Sequence, residues 1–302
     1  MRILLIAGGW SSEREVSLAG ARGMEKALKD RGHTVTFFDL LDSFDGLAEV
    51  ADGHDFALIN LHGAPGEDGL VQALLDSVEC PYQGSGARGS FLALHKAAAK
   101  QVLRHKGICT PDWEFLPRMP GADWQPTLPY PLFVKSNTGG SSLLLSRVDD
   151  KPALDAMLTQ IFDAGCEALL EPMIAGQDVT CGVLGGVALP PVLIKPRAGA
   201  YFDYESKYQK GGAEEICPAP LPEQITEQVQ TLAIKAHRAL GLSDYSRTDF
   251  RLTPQGELYV LEVNTLPGMT PTSLVPQEAA AVGLDFGALL ERLIELGMRK
   301  KA

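Results

Sequence analysis

Apolar residues along the chain fall into two kinds of pattern, short continuous runs and longer stretches in which they recur every three or four positions. Ile3 to Ala7 is a continuous run that predicts a buried strand ending at Gly8-Gly9. Val16, Ala19, Met24, Ala27 and Leu28 follow at helical spacing, and Gly32 stops the helix. Thr34 to Phe38 and Phe56 to Leu61 predict two more strands, Leu70 to Val78 an amphipathic helix, and Cys80-Pro81-Tyr82 the start of a further extended piece. Strand alternating with helix predicts a parallel sheet covered by helices on both faces. Ligands of such sheets bind off the carboxyl ends of the strands.

The rhythm changes after Gly84-Ser85-Gly86. Ser90 to Lys106 predicts one long helix with Leu92, His95, Ala99, Val102 and Leu103 on a common face, stopped at Gly107. Residues 117 to 131 are rich in Pro, Gly and Trp and predict a surface connector. Leu132 to Lys135, a stretch from Leu143, Ala168 to Pro172, Val179 to Leu184 and Val192 to Lys195 predict strands; Pro152 to Phe162 and Thr226 to Leu240 predict helices. Ser246 to Asn264 predicts two strands joined by a turn. A Gly/Pro loop without regular structure then runs to Ser273, and a last helix covers Leu284 to Leu296. These breaks suggest units at 1–86, 87–182 and 183–302.

Composition narrows the class. With 302 residues, 45% of them hydrophobic and 22% charged, the chain has enough apolar material for two or three domains. A net charge of -11 argues against general nucleic-acid binding, which needs a basic face. The five cysteines are odd in number and contain no CxxC pair, which favours free thiols and a cytoplasmic setting over a zinc site or a disulfide framework. No apolar run has the length of a membrane span, and MRILLIAGG reads as a strand in preference to a signal peptide.

Four stretches carry candidate chemistry. Asp249, Glu262 and Asn264 stand at one end of the paired strands, and two carboxylates with an amide suit Mg²⁺ shared with phosphate, or serve only as the wet face of a hairpin. The loop Gly139-Gly140-Ser141-Ser142 offers backbone amides for a triphosphate, with Lys135 as counter-charge, or is an ordinary hairpin loop. Met173 and Ile174, flanked by Glu171 and Asp178, would suit a purine-ribose slot, with Glu171 or nearby backbone on the exocyclic amine, or pack on a core. Glu15, at the start of the first helix, would hold an ammonium group or cap the helix. His62 follows a strand of the same sheet. The long loop from Pro196 to Pro220 carries Tyr201, Phe202, Tyr204, Lys207 and Tyr208 and reads as a lid.

In order along nearly the whole chain, GGWSSEREVSL, LHGAPGEDGLVQ, YQGSG, the helix around Lys96, VKSNTGGSS, DYESKY, SRTDF and LEVNTLPGMTPTS resemble the D-alanine–D-alanine ligases of the ATP-grasp superfamily. The resemblance implies a doubly wound α/β N-terminal domain followed by a two-lobed, α+β ATP-grasp fold that clasps ATP. It implies phosphorylation of one D-alanine, attack by the amine of a second D-alanine, a cytoplasmic enzyme of peptidoglycan precursor synthesis, and a homodimer without nucleic-acid or membrane partners. Carried onto this sequence, Glu15 and His62 would hold the first D-alanine. Lys96, Lys135, Gly140, Ser141, Ser142 and Lys207 would contact phosphates, while Glu171, Ile174 and Asp178 would line the adenosine. Asp249, Glu262 and Asn264 would bind two Mg²⁺ or Mn²⁺. Arg247 and the Gly268 N–H would face the oxyanion, Ser273 and Leu274 would receive the second D-alanine, and Ser141, Glu15 and Tyr208 would form a latch. Tyr208 implies an amino acid as second substrate. Relatives with another lid residue accept D-serine or D-lactate, and a homologue that binds without turnover is the further alternative.

The sequence departs from the family pattern in the phosphate loop and around it. Ser136 stands where a proline is usual, Asp178 where glutamate is usual, and Tyr201-Phe202 where phenylalanine precedes tyrosine. Leu143-Leu144-Leu145 replaces a glycine-bearing stretch, so Leu144 is expected to bring a Cβ toward the phosphates.

Overall fold

The computed structural model describes residues 1–121, 123–140, 144–196 and 212–299. The first unit is built as the apolar runs predict. Strand β1 (Arg2–Ala7) leads into helix α1 (Arg14–Asp30), then β2 (Thr34–Asp39), α2 (Leu47–Asp52), β3 (Phe56–Ile59) and α3 (Leu70–Ser77). The strands form a parallel sheet in the order β2-β1-β3, and Tyr82 adds a parallel bridge to Ala57. Ile3 to Ala7 and Phe56 to Ile59 are buried throughout because helices cover both faces.

Helices α4 (Ala87–Leu94) and α5 (Lys96–His105) occupy the stretch in which the spacing predicts one helix. His95 is the break. Its backbone is extended, and its Nδ1 accepts the Ala98 N–H, so it caps α5 from outside the helix. The second sheet is antiparallel, ordered β4-β7-β5-β6, with β4 (Glu114–Leu116), β5 (Leu132–Ser136), β6 (Leu145–Val148) and β7 (Ala168–Pro172). Helix α6 (Lys151–Asp163), capped by Asp150, buries Leu154, Met157, Leu158 and Ile161 beneath it.

The third sheet contains β8 (Gln177–Leu184), β9 (Val187–Ala188), β10 (Val192–Pro196) and β11 (Ala213–Ile216). After helix α7 (Glu223–Ala239) come β12 (Tyr245–Leu252) and β13 (Leu258–Asn264). Its order is β11-β10-β8-β12-β13, with β9 on β8. Helices α8 (Leu274–Ala281) and α9 (Phe286–Arg299) close the described chain; α8 forms part of a segment that the sequence pattern leaves without structure. No helix among the described residues is long and apolar enough to cross a membrane.

Packing divides the chain differently from the linear breaks. A line at 182/183 falls inside β8, all of which belongs to the third sheet. Ala93, Ala99 and Leu103 of α4 and α5 share a core with Val179, Val229, Phe250 and Val260, so these helices also belong with the third sheet. Val275, Ala279, Leu289, Leu290 and Leu293 return to the core of the first. The apolar face of the last helix is matched to the first sheet, a choice that sequence order alone does not encode.

Gly297 shows how closely that last helix docks. A Cβ there would lie 2.5 Å from the Tyr82 carbonyl oxygen and 2.7 Å from the Phe56 ring. Gly297→Ala is expected to lower unfolding free energy by roughly 1–3 kcal/mol through overpacking, seen as a lower denaturant midpoint with unchanged slope.

Candidate active site

A cleft between the second and third sheets is lined by Lys96, Phe133, Lys135, Gly140, Glu171, Ile174, Asp178, Arg247, Asp249 and Glu262. A second cavity, bounded by Glu13, His62, Glu67, Asn264, Gly268 and Ser273, adjoins it. Gly140, Arg247, Glu262 and Leu274 line both, so the two form one continuous site.

Strands β12 and β13 supply its floor. Asp249 pairs in register with Glu262, and Arg247 with Asn264. The register slips between Asp249 and Phe250, which leaves Leu261 as an extra residue on β13. Successive residues of a regular strand face opposite sides; at this bulge Leu261 and Glu262 both line the cleft. Asp249 is held by the Arg247 guanidinium through two bonds of 2.8 Å, by Thr180 Oγ1 at 2.7 Å and by the Asn264 amide at 3.1 Å. Burial opposes the Arg247 charge, but Asp249, Glu262 and Glu278 outweigh it and raise its proton affinity. Among the described residues no three His, Cys, Asp or Glu side chains cluster as a metal site. Asp249, Glu262 and the Asn264 amide nonetheless form an all-oxygen donor set that fits a hard cation whose remaining ligands come from phosphate.

The side of the cleft facing the second sheet is organised by a largely buried charge triad. Glu171 Oε1 lies 2.5 Å from Lys100 Nζ, and its Oε2 lies 2.6 Å from Lys135 Nζ. Burial disfavours its charge, but the two lysines prevail and hold Glu171 below the ordinary carboxylate range. Lys100 also donates to Thr110 and is brought down to about 8, chiefly by burial. Glu171 is therefore occupied with orienting lysines, which corrects the expectation that its carboxylate takes an amine; the backbone nearby is left for that role. Lys96 Nζ donates to the Gly139 carbonyl at 2.6 Å and lies 3.4 Å from Glu262. Asp178 accepts from Arg251 at 2.7 Å, and Arg251 also holds the Ile174 carbonyl, so the two residues expected to line the adenosine come as a fixed set.

Glu15 requires a correction. It is exposed on α1, whereas Glu13 lines the cavity. Two residues along a helix differ by about 200° in direction, so both cannot face the same space. Glu13 continues the buried stripe of Ser17, Gly20, Met24 and Leu28, and that stripe is hard to see in the sequence because its first members are small. A Cβ on Gly140 would lie 2.5 Å from Glu13 Oε2, so the glycine lets the loop after β5 approach this carboxylate.

His62 is buried, with Nδ1 3.2 Å from the Leu266 carbonyl and Nε2 without a partner among the described residues. Burial lowers its pKa. Gly268 and Ser273 lie beside each other, and Ser273 Oγ accepts the Thr270 N–H. Leu144 lies at φ +53°, in the left-handed region where a side chain is strained. Its side chain packs on the core of the second sheet, and Leu145 lines the cleft instead. The expected intrusion of Leu144 on the phosphates is thereby corrected. Ser141, Ser142, Lys207, Tyr208, Tyr201 and Phe202 lie outside the described residues.

Glu67 is a site residue that the sequence reading passes over. Its carboxyl accepts from the N–H groups of Gly63, at 2.8 Å, and Leu266, at 3.4 Å, joining the first sheet to the loop after β13. Burial pushes it up to about 7 from 4.5. Between those values the folded protein holds more protons than the unfolded chain, so stability falls as pH rises. Urea unfolding of wild type and Glu67→Gln at pH 5 and pH 7.5 isolates this contribution: the change in stability from pH 5 to 7.5 is expected to be roughly 1–3 kcal/mol less favourable in the wild type than in the variant. Glu278, pushed up to about 8, adds a slope of the same sign, opposed by buried His62, whose pKa burial lowers, and by His237, which burial brings down to about 4.

Comparison with known proteins agrees with this geometry. A family model described as the D-ala D-ala ligase C-terminus matches residues 96–295. A Desulfovibrio desulfuricans protein named D-alanine--D-alanine ligase is 65% identical over 298 residues, covering 99% of this chain and 97% of its own. One of the same name from Nitratidesulfovibrio vulgaris (strain DP4) is 66% identical, with coverage of 99% and 98%. The Bacillus anthracis D-alanine--D-alanine ligase complexed with ATP superimposes with a TM-score of 0.89 at 36% identity, covering 100% of this chain and 98% of that one. The chain belongs to the D-alanine–D-alanine ligase family, with its doubly wound domain and ATP-grasp lobes.

Proposed function

We propose that the protein joins two D-alanines into D-alanyl-D-alanine while cleaving ATP to ADP and phosphate, for peptidoglycan precursors. The observation that carries this reading is the shared wall of the two cavities. Arg247, Glu262, Gly140 and Leu274 face both the lysine-lined nucleotide half and the half that holds Glu13 and His62. A phosphate transferred across that wall arrives beside an amino acid carboxylate.

A carboxylate oxygen of the first D-alanine attacks the γ-phosphorus, and the bond to the β,γ-bridging oxygen breaks to release ADP. The amine of the second D-alanine, having lost its ammonium proton, attacks the acyl carbon; the carbonyl electron pair moves to oxygen and returns as phosphate leaves, and the second nitrogen proton passes to the departing phosphate. Phosphoryl transfer is mainly positioning and charge neutralisation. Lys96 and Lys135 are assigned to the phosphates, with Lys135 aimed by Glu171 and Lys100. Glu13 holds the first ammonium group, with His62 beside it. Arg247, aimed by Asp249, and the Gly268 N–H offset the oxyanion. Ser273 and Leu274 receive the second substrate. Asp249, Glu262 and Asn264 would hold Mg²⁺, which would neutralise phosphate charge when bound. ATP as cosubstrate and five free cysteines support a cytoplasmic location. The edge strand β2, with Phe37 exposed near Leu41, supports a homodimer through the first domain.

Purified protein with ATP, Mg²⁺ and D-alanine is expected to release phosphate in proportion to dipeptide formed. Release only with D-serine or D-lactate as second substrate, or none with any pair, overturns the assignment. Glu262→Gln is expected to lower turnover by at least about a hundredfold, while chelation of Mg²⁺ stops it. Glu13→Gln should raise the D-alanine requirement by about tenfold or more through loss of a charge-assisted bond, while Glu15→Gln stays within about threefold of wild type. The reverse ranking would return the ammonium role to Glu15.

A further inference from the structure

Glu278 is a fully buried carboxyl that the proposed chemistry does not use. It lies on α8, one turn beyond Leu274 and on the same helix face. Both of its oxygens accept the backbone N–H of Gly182, at 2.9 and 3.1 Å. Gly182 stands opposite Arg247 in the register of β8 and β12. The Gly182 carbonyl takes the Leu189 N–H at 2.8 Å, so both its polar groups point to the side of β8 away from β12. There the pairing of β10 has already ended, at Val192 opposite Thr180. Glu278 thus supplies the bond that a strand would otherwise make. A Cβ on Gly182 would lie 2.3 Å from Glu278 Oε2, so the glycine is fitted to this carboxyl.

We propose that Glu278 is a positioning residue for the second substrate. It fixes the helix whose first turn presents Ser273 and Leu274 to the same strand pair that carries Arg247. The proposal rests on the ligase reading given above. Loss of the tether lets the start of α8 and the oxyanion-facing arginine shift relative to each other, and small misplacements of this kind weaken orientation of an attacking group. The groups that bear on Glu278 are Arg247 and Asp249 from β12, Cys181 from β8 and Cys217 from the segment after β11. Burial favours its neutral form, so glutamine is the conservative replacement: its amide oxygen can still accept from Gly182.

Steady-state kinetics of the full-length enzyme, with D-alanine and ATP varied separately, tests this. Glu278→Ala is expected to raise the half-saturating concentration at the second D-alanine site by roughly tenfold, with the ATP KM within about twofold. Glu278→Gln is expected to recover most of the loss. Gly182→Ala, which displaces the carboxyl, should mimic Glu278→Ala alone and add little to it in the double variant. The proposal is overturned if Glu278→Ala folds and leaves the second-site value within about twofold. It is equally overturned if ATP and D-alanine parameters change together with no rescue by glutamine. Should Glu278→Ala fail to fold, Glu278→Gln and Gly182→Ala decide: near-normal Gln with a second-site defect in the glycine variant supports the tether, and two silent variants overturn it. Wild-type protein without D-alanine-dependent phosphate release would overturn the ligase reading itself, which separates the two failures.

Discussion

The two-bond ion pair between Arg247 and Asp249 links the halves of the site. A guanidinium this deeply placed needs a carboxylate partner, and a carboxylate facing a phosphate site needs a cation or strong donors. One pair on a single strand meets both needs. Because both residues are on β12 and both line the cleft, the spacing of these two charges is set by strand geometry and not by a loop. Thr180 on β8 and Asn264 on β13 fix the pair from either side. The same logic recurs across the cleft, where Glu171 lies between Lys100 and Lys135 and gives a cleft-lining lysine a defined place.

The acids of the site are treated unequally by their surroundings. Glu171 is kept ionised by buried Lys100 and partly buried Lys135, whereas Glu67 and Glu278 have mainly backbone N–H partners and are driven toward the neutral form by burial. The ionised group orients cations. The two neutral-leaning groups join pieces of chain: Glu67 ties the His62 loop to Leu266, and Glu278 ties α8 to β8. A site with many carboxylates can thus keep its negative charge where lysines and an arginine offset it, and use the remaining acids as structural ties.

Much of the fold is legible in the sequence where an element is long enough to carry a periodic signature; short elements such as α2, β4, β9 and β11, the last inside the stretch read as a lid loop, are not. The continuous run Ile3 to Ala7 and the turn at Gly8-Gly9 give the first strand, and the stretch from Ser246 to Asn264 gives the hairpin with its acids at one end. Long-range packing is less visible. His95 breaks a well-patterned helix because its side chain caps the next one, and Glu15 looks equivalent to Glu13 until α1 is rotated onto its sheet. Leu144 reads as a threat to the phosphates by position; the turn of the backbone sends its side chain into the core of the second sheet instead.

The sequence by itself determined the family resemblance, the parallel and antiparallel units, and the residue types that gather at the site, since these depend on local periodicity and on motifs only a few residues long. Tertiary structure decided which acid faces the substrate cavity, because helix rotation is set by the sheet beneath it. It made Glu171 an orienter of lysines, because Lys100 comes from a helix far away in sequence. It turned Leu261 and Glu262 to one side through a bulge that no spacing rule marks. It also brought Glu278 to Gly182, 96 residues apart, because a strand ended early and left an N–H that burial required to be paired.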